Sequence, residues 1–136
     1  MGYRRKWFPK SIQAHQHIEL LREKGEENVN PSISPARWIY GANPENLVPL
    51  GDVSLSTIVY CKEEGERVVY KSDQFGFRNE QTWWEDTEVL FIGDSFVHGY
   101  CVESSKTLPR MFEKFSERLT FNLGMGNNHS YNYLAS

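Results

Sequence analysis

The sequence predicts an α/β fold built on a parallel β-sheet, and three features of its second half support this class. Residues 88 to 94 are predicted to form a buried strand that delivers Ser95 into a turn, because an apolar run from Val89 to Ile92 is followed by Gly-Asp-Ser. Residues 107 to 119 have the periodicity of an amphipathic helix, and residues 120 to 123 resemble a short second strand. A strand, a helix and a strand in this order predict a right-handed βαβ unit with parallel pairing.

The amino-terminal part predicts a helix followed by a connector. Residues 11 to 24 carry an apolar stripe, with Ser11 placed to cap the helix and Gly25 placed to end it. Residues 25 to 51 contain several prolines and asparagines, which do not sustain a helix or a central strand. We therefore expect an irregular connector there.

The middle of the chain predicts a β-hairpin and a turn. Residues 53 to 61 and 67 to 71 are rich in β-branched and aromatic types, and the polar residues 62 to 66 have the length of a hairpin loop. The following segment, residues 72 to 79, has aromatic side chains around a glycine. It is expected to form a packing corner, because buried aromatic rings stabilise such corners whatever the function.

The helix predicted over residues 107 to 119 begins with a Thr107 cap and tolerates Pro109 in its first turn. Its apolar side chains recur at offsets of three and four residues and form one continuous face. We expect this face to pack in the core; it consists of Leu108, Met111, Phe112, Phe115 and Leu119.

Composition and charge exclude several classes of protein. The 136 residues, 39% of them hydrophobic, fit one ordinary globular domain, and a net charge of -3 disfavours nucleic-acid binding. No apolar run is long enough to span a membrane and the amino terminus lacks the apolar core of a signal peptide, so the chain as written is expected to be soluble and unexported.

The two cysteines, Cys61 and Cys101, are too few for a disulfide framework and have no CxxC spacing. A zinc site and a thioredoxin-like site are therefore disfavoured, and two buried free thiols are expected rather than one disulfide. No cluster of ligand side chains implies a metal or an organic cofactor.

Glycine-rich turns follow both predicted parallel strands. Gly93-Asp94-Ser95 ends the first strand and Gly124-Met125-Gly126-Asn127 ends the second, so the two turns are expected to line the same crevice. A serine in such a turn can expose its hydroxyl while nearby backbone N–H groups point at a developing oxyanion. This placement nominates Ser95 as a nucleophile.

Other glycine-containing motifs are excluded by the residues at their key positions. The stretch from Gly93 to Gly99 lacks the Gly-Lys-Ser/Thr ending of a phosphate-binding loop, and His129 stands where a dinucleotide fingerprint needs its third glycine. Val97 likewise breaks the Gly-x-Ser-x-Gly elbow. A nucleotide site is therefore disfavoured.

Two segments about thirty residues apart carry a family resemblance. Phe91-Ile92-Gly93-Asp94-Ser95-Phe96 and Phe121-Asn122-Leu123-Gly124-Met125-Gly126 resemble blocks I and II of the SGNH, or GDSL, hydrolases. The segments Val59-Tyr60-Cys61, Tyr70-Lys71-Ser72-Asp73 and Phe75-Gly76-Phe77-Arg78-Asn79 also resemble an amino-terminal extension of some bacterial members. The resemblance covers residues 47 to 136 as one domain and leaves residues 1 to 46 as a helix and connector.

The resemblance implies a flavodoxin-like three-layer α/β/α fold that hydrolyses esters of small molecules or O-acyl groups of carbohydrates. It implies Ser95 as nucleophile and backbone oxyanion donor, with a second donor from the turn at Gly126 and Asn127. Asn127 stands where the family usually has glycine, and asparagine tolerates positive φ best among the other residues. The structural residues of the site would be Gly93, Asp94, Asn122 and Gly124.

Two family elements are missing from the sequence: the Gly-x-Asn-Asp segment of block III and the Asp-x-x-His that supplies acid and base. None of the four histidines, at positions 15, 17, 98 and 129, has an aspartate three residues earlier. His98 is expected to lie on the turn after the strand without a catalytic role, since a base needs a fixed position within reach of the serine.

These observations predict the amino-terminal part of an SGNH-type hydrolase whose acid and base lie in a missing carboxy-terminal part of the domain. One alternative is a non-catalytic remnant that binds a carbohydrate or an acyl group. Another is a structural α/β piece that docks on a partner chain through its open sheet edge, since two parallel strands leave an apolar edge exposed.

Overall fold

The computed structural model of this chain describes residues 10 to 32, 51 to 61, 67 to 80, 84 to 126, and 128. Within these residues the fold is mixed α/β, with a three-stranded sheet in the order β1-β2-β3 and a two-stranded sheet formed by β4 and β5. The elements in chain order are α1 (Lys10–Glu23), β1 (Val29–Pro31), β2 (Thr57–Val59), β3 (Val69–Lys71), β4 (Val89–Phe91), α2 (Ser95–His98), a 3₁₀ turn (Ser104–Lys106), α3 (Leu108–Ser116) and β5 (Thr120–Asn122).

Helix α1 packs its predicted apolar stripe on the three-stranded sheet. Ile18 is buried against Val29 of β1 and Val59 of β2, with Ala14 and Leu21 beside them. Gly25 adopts the left-handed conformation that ends the helix, as predicted. The helix begins at Lys10, so Ser11 lies within it and does not precede it as a cap.

The predicted hairpin is present, with shorter strands than expected. β2 and β3 pair antiparallel with Ile58 opposite Tyr70. The pairing continues towards the loop because the Tyr60 amide donates to the Val68 carbonyl and the Val68 amide donates to the Cys61 carbonyl. β2 is short because Leu55, at φ 49°, lies in a turn where an extended strand was expected.

Strand β1 contradicts the prediction that residues 25 to 51 are irregular throughout. Val29–Pro31 pairs parallel with β2 and lies at the edge of the three-stranded sheet. Proline is tolerated on an edge strand because its missing N–H leaves no bond to a second neighbour unmade. The rest of the connector, residues 33 to 50, lies outside the described residues, as does the hairpin loop at 62 to 66.

The second half confirms the parallel βαβ unit. β4 and β5 pair parallel with Leu90 beside Phe121, and α3 connects them. Thr107 precedes α3 and Pro109 occupies its first turn, although the Thr107 side chain makes no capping bond to the helix. Glu113 instead accepts hydrogen bonds from both the amide and the hydroxyl of Thr120, each at 2.9 Å, and thereby links α3 to β5.

The apolar face of α3 is not the buried stripe that its periodicity predicted. The Phe112 ring contacts the Phe91 ring edge-on at 5.4 Å, but Phe115 is 77% exposed and Leu108 is 53% exposed. The expectation of core packing was wrong because the sheet beneath α3 has only two strands among the described residues, which is too narrow to cover the whole face.

The expectation of two free thiols was also wrong. Cys61, at the end of the β2 side of the hairpin, forms a disulfide with Cys101, which follows α2, and their Cα atoms lie 5.1 Å apart. The pairing depends on how the hairpin lies against α2, which their spacing in sequence does not reveal. This bond links the three-stranded sheet covalently to the segment after Ser95.

Among the described residues, no helix is both long and apolar enough to cross a bilayer.

Candidate functional site

Ser95 is the first residue of α2, directly after the turn that leaves β4. The Asp94 carboxylate caps this helix by accepting a hydrogen bond from the Phe96 amide at 3.0 Å. The Ser95 carbonyl accepts from the amides of Gly99 and Tyr100, which closes the short helix. The Asp94 carboxylate therefore fixes the backbone at the start of α2, where Ser95 lies, through its bond to the Phe96 amide.

The turn after β5 lies against this serine turn. The Met125 amide donates to the Gly93 carbonyl at 3.1 Å, and the Leu123 amide donates to the Phe91 carbonyl at 2.8 Å. The two glycine-rich turns nominated from the sequence are thus hydrogen-bonded neighbours at the carboxyl ends of a parallel strand pair, where α/β folds place their sites.

Asn122 and Gly124 fit this second turn closely onto α2. The Asn122 side chain donates to the Val97 carbonyl at 3.0 Å and accepts from the Gly124 amide at 2.7 Å. A Cβ atom on Gly124 would lie 2.4 Å from the backbone nitrogen of His98, closer than any real contact. Glycine is therefore required at position 124 because the two backbones touch there.

Asn79 supports the site from the turn after the hairpin, a role that sequence reasoning did not assign to it. Its side-chain carbonyl accepts from the Asn122 amide at 2.8 Å, and its side-chain NH₂ donates to the Asn122 carbonyl at 3.0 Å. The same NH₂ donates to Asp73 at 2.7 Å. Asn79 thereby pairs with β5 as a neighbouring strand would. The sequence placed Asn79 at the end of a segment that carries the family resemblance, but it gave no sign that this side chain would pair with β5.

Arg78 holds the segment that follows α2. Its guanidinium donates to the carbonyls of Gly99 at 2.9 Å and Val102 at 2.7 Å, and to the Ser104 hydroxyl at 3.1 Å. It also lies over the Tyr70 ring, 4.7 Å from the ring centre. A buried arginine with this many carbonyl partners orders the loop beside Ser95.

His98 is almost fully buried and both of its ring nitrogens are engaged. Its Nδ1 accepts a hydrogen bond from the Gly126 amide at 3.3 Å, and its Nε2 lies 2.9 Å from the Tyr70 hydroxyl. Burial, with a smaller effect of the Arg78 charge, lowers the pKa of His98 to about 3. These partners leave His98 without a free nitrogen to act as base for Ser95.

Tyr70 continues the connection to a buried carboxylate. Its hydroxyl donates to Asp52, which also accepts from the Ser32 hydroxyl at 3.1 Å. Burial, followed by the charge of Asp52, raises the pKa of Tyr70 well above its usual value, so the phenol stays protonated and acts as a donor. A continuous series of hydrogen bonds therefore runs from Asp52, in the turn before β2, through Tyr70 and His98 to Gly126, which lies beside the serine turn.

A groove of about 360 Å³ opens beside Ser95. Its lining is mainly apolar and carries one ammonium group; it consists of Ser95, Phe96, Gly99, Tyr100, Val102, Lys106, Thr107 and Leu108. The Lys106 ammonium lies 2.9 Å from the Glu103 carboxylate on the exposed rim, so its charge is paired. Apart from Lys106, which is paired with Glu103, the residues that line the groove carry no charge.

The structure brings together some, but not all, of the site residues that the sequence predicted. Gly93, Asp94, Ser95, Asn122 and Gly124 come together in one hydrogen-bonded unit. Gly126 lies beside them, but its amide donates to His98 instead of facing an open site. Asn127 and His129 lie outside the described residues.

The described part of the chain gives the Ser95 hydroxyl no hydrogen-bond partner and holds no cluster of three or more metal-ligating side chains. Comparison with protein-family models, with curated proteins and with solved structures found no match.

Proposed function

We propose that this chain carries the nucleophile segment of an SGNH-type serine ester hydrolase, with Ser95 as the nucleophile. The observation that carries the proposal is the Met125 to Gly93 hydrogen bond, which holds the turn after β5 against the serine turn at the carboxyl ends of two parallel strands. The parallel pair with α3 is compatible with the flavodoxin-like three-layer fold that we propose for the whole domain.

The proposed reaction is acyl transfer through a serine ester. The Ser95 hydroxyl loses its proton to a base as its oxygen attacks the ester carbonyl, the alcohol leaves with that proton, and water then releases the acid. The Ser95 amide and the turn after Gly126 would donate to the oxyanion. The base is not His98, whose nitrogens are both engaged, so we propose that it comes from residues outside the described part of the chain.

The groove beside Ser95 supports an ester substrate with an uncharged acyl group. Its lining includes the exposed side chains of Phe96 and Leu108 together with Ser95. Small-molecule esters and O-acyl groups on carbohydrates both present such a group. We propose this substrate class for the site.

Labelling with a serine-directed fluorophosphonate tests the proposal on the intact gene product. We expect covalent labelling at Ser95, loss of labelling in Ser95→Ala, and retention of labelling in Ser105→Ala, an exposed serine of the 3₁₀ turn. Hydrolysis of p-nitrophenyl acetate should follow the same order. A folded intact protein that is neither labelled nor active would overturn the assignment.

A non-catalytic binding role is the second candidate. It is favoured by the groove beside a serine hydroxyl that has no hydrogen-bond partner among the described residues. Calorimetric titration with acylated oligosaccharides would separate the two roles: binding without turnover, weakened in Ser95→Ala, supports this candidate, whereas turnover abolished by that change excludes it.

A further inference from the structure

We infer that His98 is a positioning residue, which fixes the turn after β5 beside Ser95 by accepting the Gly126 amide on Nδ1 while Tyr70 and Asp52 hold its ring as the Nε2–H tautomer. Only the consequence for Ser95 reactivity rests on the proposed function. The hydrogen-bond arrangement itself is independent of any reaction.

The direction of each hydrogen bond follows from its neighbour. The Gly126 amide is a donor, so Nδ1 of His98 must be unprotonated and the ring proton must sit on Nε2. That proton is donated to the Tyr70 oxygen, whose own proton goes to Asp52. Each hydrogen bond therefore has one donor and one acceptor: His98 donates to Tyr70, and Tyr70 donates to Asp52.

The positions of His98, Tyr70 and Asp52 in the fold explain how their hydrogen bonds can act on the serine turn. His98 is the last residue of the short helix that Ser95 begins, so the ring is fixed relative to the serine by one helical turn. Tyr70 comes from β3 and Asp52 from the turn before β2. The three-stranded sheet is thus connected through His98 to Gly126, the residue that precedes the expected oxyanion donor Asn127.

Two further contacts restrain the same turn and ring. Gly124 lies against the backbone of His98, and the Tyr60 ring packs on the His98 ring with centres 4.7 Å apart. Arg78 lies over Tyr70 and fixes the partner of Nε2. The His98 ring is therefore buried and held by a packed ring as well as by its two hydrogen bonds, which is what a positioning role requires.

Substitution of His98 by asparagine or by glutamine tests its two hydrogen bonds separately, because each amide side chain can replace only one of the ring nitrogens. In His98→Asn the amide oxygen reaches the Nδ1 position and can still accept from Gly126, whereas in His98→Gln the amide reaches the Nε2 position and can still contact Tyr70. We expect His98→Gln to slow fluorophosphonate labelling of Ser95 by about tenfold, the loss of one well-placed hydrogen bond. His98→Asn should recover most of that rate. Equal rates in the two variants would overturn the inference.

Nitrogen NMR of the intact wild-type protein provides the measurement that needs no activity. We expect the ¹⁵N shifts of His98 to show a neutral ring protonated on Nε2, and the Gly126 amide resonance to move in His98→Gln and much less in Tyr70→Phe. A ring protonated on Nδ1, or a Gly126 amide indifferent to His98, would overturn the inference even if either variant folded poorly. If wild type is folded but unlabelled, the proposed hydrolase fails, while the NMR result still decides the role of His98.

Discussion

The Nε2 atom of His98 lies 2.9 Å from the hydroxyl oxygen of Tyr70. The two residues belong to different parts of the fold, since Tyr70 is on the hairpin strand β3 and His98 ends the helix that Ser95 begins. Their contact joins the amino-terminal sheet to the candidate site, and both side chains are buried. The amino-terminal sheet is therefore part of the structure that positions the serine turn.

Removing the Tyr70 hydroxyl should destabilise the protein. Tyr70→Phe leaves the Nε2–H of His98 without its acceptor and removes a donor from Asp52, and a buried polar group left unsatisfied costs about 1–3 kcal/mol. Urea unfolding at pH 7 measures this loss. Tyr100→Phe, which changes a 45% exposed tyrosine, is the control and should alter the free energy of unfolding by less than about 0.5 kcal/mol. Equal effects of the two changes would contradict the prediction.

The free energy of unfolding should decrease as the pH is lowered below about 6.5, because His98 is neutral in the folded protein. Burial, aided by Arg78, lowers the folded-state pKa of His98 to about 3, so the unfolded chain binds a proton that the folded chain excludes. The contribution is complete above pH 6.5 and decreases by about 1.4 kcal/mol per pH unit as the pH falls towards 3. The groups that face the ring are Tyr60, Tyr70 and Arg78.

Urea unfolding at pH 7, 6 and 5 measures this dependence. The informative quantity is the difference in the free energy of unfolding between wild type and His98→Asn, which lacks the titrating ring, because contributions common to both proteins cancel in it. This difference should narrow as the pH falls. A difference that stays constant from pH 7 to 5 would show that His98 titrates normally in the folded protein.

Asn79 should be needed for the pairing with β5. Asn79→Ala removes both hydrogen bonds to the Asn122 backbone and leaves an amide and a carbonyl buried without partners, at a cost of about 2–6 kcal/mol for the two groups. Hydrogen exchange at the Asn122 amide should accelerate together with the loss of stability. Gln74→Ala, in the exposed part of the same turn, is the matched control and should leave both quantities unchanged. Protection of Asn122 that survives Asn79→Ala would contradict the assigned pairing.

Two glycines of the same turn should respond differently to an added methyl group. Gly124→Ala would place its Cβ 2.4 Å from the His98 nitrogen and should cost about 1–3 kcal/mol, because the backbones must separate. Gly126→Ala meets nothing nearer than the Tyr60 hydroxyl at 3.6 Å and should be tolerated within about 0.5 kcal/mol. Thermal unfolding of both variants tests the prediction, and the reverse order would show that the turn does not contact α2 as described.

The Cys61–Cys101 disulfide should contribute strongly to stability. It closes a loop with a sequence separation of 40 residues, for which the chain-entropy model gives about 4 kcal/mol. Cys61→Ser and Cys101→Ser should each cost this amount, and the double variant should cost no more than either one. Thiol titration of the oxidised protein should find no free thiol at these positions until a reductant is added. A free thiol on both residues in the oxidised, folded protein would contradict the pairing.

Local pattern was enough to predict helix α1, the hairpin, and the parallel βαβ unit around Ser95. Each of these depends on interactions close in sequence: the apolar stripe of α1, the β-branched runs on either side of a polar loop, and the alternation of strand, helix and strand. The same pattern brought Gly93 and Gly124 to neighbouring strand ends, because parallel strands leave their carboxyl ends at one edge.

Contacts between segments distant in sequence decided the rest. Nothing local to Pro31 indicated that its segment would find β2 as a partner, and the spacing of Cys61 and Cys101 could not show that the hairpin lies against the end of α2. The prediction that the apolar face of α3 is buried was wrong for a related reason. Periodicity shows that a helix face is apolar, but only the sheet opposite the helix decides whether that face is covered.

For the candidate site, the sequence alone nominated Ser95 and predicted that the two glycine-rich turns would lie together, as they do. Only the tertiary structure decided that His98, Tyr70 and Asp52 form one hydrogen-bonded connection and that Asn79 pairs with β5. These side chains lie far apart along the chain, and a buried polar group takes whichever partner the packed fold brings within 3 Å of it, because leaving it unpaired costs more than any local preference provides.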